Sequence, residues 1–406
     1  MLVPERGNTS VELAELGGED DVVSGGQTVQ EIGALLACPL GLGTDFGKCS
    51  HRMGKRMSRI HHSLLLTLVA LAGCTAPWGG SEERSQIAYG LVREEVPTRI
   101  VVVEDDGTDA QRITGAKRGE SPTLPVWSPD GKRLAFVRFR AAGGPGALQV
   151  YVVNADGSGE RLVGEGTLPR WTNDGRSLVV ERPVAPPKAT TIHVLSVDGR
   201  GQRLLAIGSG AAVSHDGSKV AFVRFTYRRR ANQFVRAGSS LHTISLTGTG
   251  LRRLAEVTGL GSAFVQPNWL PDDLAIAVIE RKGDLGPPPD PLVTVSPSGQ
   301  RRVIVPDVGE TYDWSPKGDL IAYTRDGSLF ILRPDGTEVE AYGESNAIDI
   351  EWSPDGRKVA FSMQEPIENA QYVGLYVIDL DKGERRRFAL ADGFVGFLDW
   401  RPEEPD

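Results

Sequence analysis

Cysteine is almost missing from this chain of 406 residues: Cys38, Cys49 and Cys74 are the three, all near the N-terminus. Beyond residue 74, therefore, neither a disulfide nor a thiolate metal cage holds the fold together. Histidine is nearly as scarce, and after residue 62 only His193, His215 and His242 remain. No G-x-S-x-G nucleophile elbow occurs, which argues against a serine-hydrolase reading. Long basic runs are absent and the net charge is −8, a balance that excludes nucleic acid as a partner. The apolar run at 63–73 is too short to span a bilayer comfortably. Plentiful glycine (49) and proline (26) instead point to a turn-rich, all-β body.

One phrase organises that body. Residues 351–361 read E-W-S-P-D-G-R-K-V-A-F. A strand ends on Trp352, a tight turn follows, and a second strand starts at Lys358. Pro354 presets φ for the second turn position, Asp355 suits the third, and Gly356 takes the left-handed conformation that closes the hairpin. Close copies begin at Trp127 (W-S-P-D-G-K-R-L-A-F) and Trp314 (W-S-P-K-G-D-L-I-A-Y). Weaker copies begin at Trp171, Val213 and Trp269, and Trp400 opens a last one, W-R-P. A recurrence every 40–50 residues or so, built from short strands, is the signature of propeller blades. Each unit divides into four strands: a, ending at the Trp; b, the L-A-F segment; c, an alternating run ending in D-G or a similar turn; and d, short and often containing R-L or R-I. Residues 86–92, 99–107 and 110–114 match strands b, c and d with no strand a before them. Residues 394–400 form a strand a with nothing after it. The expected fold is an all-β, seven-bladed propeller of four-stranded blades, its last blade closed by three N-terminal strands and one C-terminal strand. Such closure removes the open sheet edges that would pair with other chains.

The W-S-P-D-G-[KR]-x-[LIV]-A-F phrase resembles the repeat of TolB-type β-propellers, which is also found in the propeller domains of prolyl-oligopeptidase relatives. The resemblance covers residues 86–406 and implies the fold. The sequence departs from TolB in two ways. Little chain lies between Cys74 and the first strand to hold TolB's separate N-terminal α/β domain, and seven blades are counted where TolB has six.

Residues 53–73 read as a targeting signal, with Lys55, Arg56 and Arg59 ahead of the apolar run. The run ends in Leu71-Ala72-Gly73-Cys74, which resembles the lipobox of bacterial lipoproteins. That resemblance implies cleavage before Cys74 and attachment of a diacylglyceryl group to its thiol. Residues 74–85 then form a polar tether. Residues 1–52 fit poorly ahead of a signal peptide, carrying Glu19, Asp20 and Asp21 and no clear period. They are read as a mis-assigned start, with translation beginning at Met53 or Met57, or else as a disordered extension. Peptide mapping of the native precursor separates the two, since any peptide from 1–52 refutes the late start.

Two residue sets are candidates for function. Asn268, Asp313, Glu351 and Asp399 each stand directly before a repeat tryptophan. Strand a lies nearest a propeller's axis, so these four blades would place a polar ring around the channel. The ring suits a cation or amine, or hydrogen bonding between inner strands. The second set lies in the longest b–c loop, 226–239, which combines Tyr227, Arg228, Arg229, Arg230, Phe234 and Arg236. Arginine with aromatics is the composition of interface hot spots, and arginine holds carboxylates or phosphates in bidentate fashion. The bland alternative is a solvated charged loop. No catalytic set, metal site or cofactor is expected. Asp130, Asp174, Asp216 and Asp355 read as turn formers, His193 and His242 as packing residues at one repeated c-strand position, and His215 as a solvated turn residue.

The leading expectation is a non-catalytic, lipid-anchored, monomeric propeller outside the cytoplasm. It would touch the membrane through its anchor alone and bind an envelope protein or polymer through the face bearing the b–c and d–a loops. The alternatives are a lactonase- or lyase-like propeller enzyme using a carboxylate site at the channel mouth, and an envelope assembly factor of TolB type.

Overall fold

The computed structural model describes residues 85–403, apart from 93–97, 116–118, 141–145, 185–189, 232, 284–289, 310, 344–346, 368–369 and 392–393. The signal segment, Cys74, residues 1–52 and nearly all of the tether lie outside the described residues. Parts of the connections at 140–147, 182–190, 281–291 and 364–372 lie outside them as well.

The described chain forms seven four-stranded antiparallel sheets in a ring, with no helix among them. In the first blade, strands a to d are Glu120–Trp127, Arg133–Arg140, Leu148–Asn154 and Arg161–Glu165. The next five blades have inner strands Thr167–Trp171, Ser209–Val213, Ser262–Trp269, Tyr312–Trp314 and Ala347–Trp352. The seventh joins the chain ends: Phe394–Trp400 pairs with Gln86–Val92, followed by Arg99–Glu104 and Gln111–Arg112. Its register sets Trp400 opposite Ile87 and Phe394 opposite Val92.

The repeat phrase makes the turn that its residues dictate. In the first blade the Gly131 N–H donates to Ser128 O at 2.8 Å, and Gly131 has φ 64°. The Ser128 hydroxyl donates to Asp130 Oδ1, which also accepts from the Lys132 N–H. The same hydroxyl–carboxylate pair recurs as Thr172–Asp174, Ser214–Asp216 and Ser353–Asp355. The turn aspartates thus spend their oxygens on local bonds. In the fourth blade Asp273, at φ 56°, stands where the other turns have glycine.

Seven apolar clusters form the core, one between each pair of neighbouring blades. Strands b and c are therefore buried on both faces. This is why b strands read as continuous apolar runs such as L-A-F-V instead of alternating. The c-strand aromatics stack on b-strand rings of their own blade: Phe136–Tyr151, Tyr323–Phe330 and Phe361–Tyr376. His242 takes the same place against Phe222, with centroids 5.5 Å apart, and is a packing residue. The outer d strands are largely exposed and carry arginine, as in Arg252–Thr258 and Glu384–Ala391, which discourages pairing of these edges with other chains.

Three details differ from the sequence reading. Residues 226–239 are a hairpin, not a loop: Lys219–Arg230 and Gln233–Ser245 stay paired out to Arg230 opposite Gln233. Lys358–Ile367 and Ala370–Asp379 likewise stay paired to Ile367 opposite Ala370, across most of 364–372. In the arginine hairpin the polar composition that suggested a loop is that of ribbon facing solvent at Arg228, Arg229, Arg230 and Phe234, where nothing requires apolar alternation. His215 is exposed but not merely solvated, since its N–H and Nδ1 lie 2.9 and 3.0 Å from Asp273 Oδ1, tying the third blade's turn to the fourth's.

Candidate functional site

The inner strands do not run straight. Five of them carry a residue in the left-handed region three places before the repeat position: Leu124 (φ 54°), Leu168 (50°), Gly210 (67°), Gln266 (50°) and Phe397 (50°). Pairing slips at these bulges, between Thr123 and Val126 and between Thr167 and Arg170, for example. Four of the five are not glycine, so the conformation costs on the order of 1–3 kcal/mol each and is held by the surrounding blades. All five line a central cavity of about 340 Å³, to which every blade contributes its inner strand.

Around that channel the positions directly before the repeat residue are Val126, Arg170, Ala212, Asn268, Asp313, Glu351 and Asp399, all of them lining it. The four predicted polar residues thus share one cavity. Three further charged groups line it that the sequence reading passed over: Asp349, Glu181 and Arg170. Signals for two of them existed. Asp349 is two residues from Glu351 and so falls on the same strand face. Arg170 occupies the very position that singled out the acids. Glu181 comes from a b strand, Ser177–Arg182, and had no such signal.

Most of these carboxylates stitch one blade to the next. Asp399 Oδ2 accepts the Trp127 N–H at 2.5 Å, Asp313 Oδ2 the Trp352 N–H at 3.2 Å, and Asp349 Oδ2 the Leu398 N–H at 2.7 Å. Glu181 Oε1 accepts the Ala211 N–H at 2.8 Å. Indole N–H groups add a second stitch, from Trp171 to Val126 O, Trp269 to Ala212 O, Trp352 to Asp313 O and Trp400 to Glu351 O. Glu351 is the exception. No hydrogen bond to its carboxylate is present among the described residues, while Asp313, Asp349 and Asp399 act on it electrostatically.

Asp313, Asp349, Glu351 and Asp399 are only half-buried by surface area, yet protein surrounds them on all sides, so the water that reaches them is confined to the channel. Loss of bulk hydration raises the pKa of Asp313, Asp349, Asp399 and Glu351, and the three neighbouring aspartates raise that of Glu351 further. Burial pushes Glu181 up to about 7. Arg170 opposes the rise at every one of the five. Among the described residues no three acidic, imidazole or thiolate groups converge as a metal cage.

The arginine set lies apart from the channel, on the long hairpin of the third blade. Arg228, Arg229 and Arg230 are exposed and form no ion pair among the described residues. Phe234, paired with Arg229, is 43% exposed. Arg236 plays a different part, since it is half-buried with its guanidinium 4.4 Å from the Phe225 ring centroid. Tyr227 lies tilted against the same ring.

No protein-family profile matches the chain. Over 77 residues it is 34% identical to the Tol-Pal system protein TolB of Alcanivorax borkumensis, a stretch covering 18% of this chain and 17% of that protein. Among solved structures, TolB from Acinetobacter baumannii aligns with a TM-score of 0.47 at 16% identity, over 79% of this chain and 67% of that one. A prolyl endopeptidase aligns with a TM-score of 0.55 at 15% identity, over 78% of this chain and 49% of that one. The chain thus spans a small part of the curated relative and about half of the peptidase. The likeness to the prolyl endopeptidase agrees with the β-propeller fold described above, and the short TolB match is in line with the resemblance of the repeat phrase.

Proposed function

We propose that this propeller is a non-catalytic binding protein of the bacterial envelope, anchored by lipid at Cys74 and facing away from the cytoplasm, and that it docks an acidic group on an envelope protein or polymer. The observation that carries the docking reading is the third-blade hairpin, with Arg228, Arg229 and Arg230 exposed and unmatched by acids among the described residues, beside an exposed Phe234. A ribbon projecting beyond a rigid blade is where recognition ordinarily resides. The tie to the envelope comes from the TolB likeness and the lipobox-like Leu71-Ala72-Gly73-Cys74. Against a catalytic use of the channel stands its lining, which includes no histidine among the described residues.

Replacing Arg228, Arg229 and Arg230 together by serine tests the docking. Partner capture from solubilised membranes should fall about tenfold or more while the melting temperature stays within about 1–2 °C, because no packed side chain is lost. Moderate salt should weaken capture by the parent protein in the same direction. Undiminished capture by the triple variant moves the binding surface elsewhere. The anchor is tested by Cys74→Ser. Each buried CH₂ of an acyl chain contributes about 0.8 kcal/mol, so the variant should leave the membrane fraction. Its retention there after alkaline carbonate washing would refute lipid attachment.

A further inference from the structure

We propose that the central channel is a binding site for an aliphatic polyamine or diamine, held by carboxylates on opposite walls of the cavity. One wall, formed by the fifth, sixth and seventh blades, carries Asp313, Asp349, Glu351 and Asp399. The other carries Glu181, which is 1% exposed: Oε1 accepts the Ala211 N–H, the neighbouring Gly210 N–H also acts on the carboxylate, and Oε2 has no partner of its own within hydrogen-bond distance. A buried carboxylate oxygen left unpaired is costly unless something supplies a donor. The carboxylate of Glu351, on the acidic wall, has no described hydrogen bond either.

The chemistry of the guest follows from the spacing. The acids do not converge as a metal cage. They spread over two walls and two depths, Asp349 and Glu351 lying about 7 Å apart along one strand. A point dication reaches few of them at once. A chain with an ammonium at each end, about 6 Å apart across four carbons by ordinary bond lengths, reaches several. Its methylenes would meet the apolar side of the channel, where Leu124, Val126, Leu168 and Ala212 lie. Arg170 is the cation already present. It acts electrostatically on all five acids, is exposed, and makes no described hydrogen bond. It therefore partly neutralises the channel without being fixed in it, and it competes with a guest cation.

This reading does not rest on the hairpin, and one titration separates the two. The purified protein is titrated with spermidine by calorimetry at pH 8 and constant ionic strength, with magnesium chloride as the control. Saturable spermidine binding is expected, with no comparable magnesium response. Glu351→Gln, which removes a carboxylate that has no described hydrogen bond to lose, should weaken binding about tenfold or more. Arg170→Gln should tighten it several-fold, an effect opposite in sign to that of damage to the fold. The Arg228–Arg230 serine variant should bind spermidine as the parent does. Absence of saturable binding, an unchanged affinity in Glu351→Gln, weaker binding in Arg170→Gln, or magnesium displacing spermidine would each overturn the assignment.

Discussion

Glu351 illustrates how a residue can be placed by its neighbours in sequence and still be misjudged in strength. Its position before Trp352 marks it as channel-facing, but nothing local reveals that its carboxylate, alone among those of the channel acids, lacks a described hydrogen bond, since the partners of its fellow acids come from the next blade. A consequence is a pH dependence of stability. An acid whose pKa is raised in the folded state holds its proton there when the unfolded chain has already released it. The folded state is then penalised as pH rises above the ordinary carboxyl range, and the penalty is complete only above the folded pKa, about 7 for Glu181. The channel acids should therefore make the protein less stable at pH 8 than near pH 6.5. Below that, His242, held neutral down to about 4 by burial, contributes the opposite slope. The turn acids stay silent in this window, as Asp216 is held down at about 2 by the Ser214 and Ser218 hydrogen bonds. Glu351→Gln isolates the channel contribution. It should raise the melting temperature at pH 8 by a few degrees and flatten the slope between pH 6.5 and 8. Melting curves as steep in pH as the parent's would show that Glu351 is not a source of the effect.

At the scale of elements, the sequence is most informative where chemistry is local. Gly131 and Asp130 demand a turn wherever they occur, and the turns at 128–131, 172–175 and 353–356 follow. Strand existence and order were legible for the same reason, as was the packing role of His242, which sits where other blades place tyrosine or phenylalanine. Strand length was not legible. The repeat phrase marks only where the first inner strand ends, at Trp127; that it runs from Glu120 is fixed by the pairing of its early residues with Arg133–Arg140 instead of by their own propensity. The bulges were equally hidden. Leu124, Leu168 and Gln266 each precede a proline, which biases a residue toward extended backbone, yet all three adopt positive φ. Tertiary closure around the axis overrides that local preference. The arginine hairpin shows the converse: a run of three arginines reads as loop because the far end of its strand buries neither face.

For the whole molecule, the decisive element is the closing blade. Phe394–Trp400 pairs with Gln86–Val92 on one side and is stitched to both neighbouring blades. Leu398 donates to Asp349, the Trp400 indole to Glu351 O, and Asp399 accepts from Trp127. Arg401 adds hydrogen bonds to Gln86 O and Oε1 and lies over the Trp127 ring. Further out, Lys358 pairs with the buried Asp105 at 2.6 Å, clasping the sixth blade to the seventh. Leu398 and Trp400 are both buried, and each full burial stabilises by roughly 1.5–3 kcal/mol. Against a net stability of about 5–15 kcal/mol for a folded domain, their loss together with the stitches is a large fraction of the whole. Deleting residues 394–406 also leaves the edge of Gln86–Val92 unpaired, an invitation to pair with another chain. The truncated protein should melt well below the parent and elute from a sizing column as oligomer or aggregate. A soluble monomer with the parent's melting temperature would mean that the ring does not depend on its C-terminal strand, and the seven-bladed closure would have to be given up.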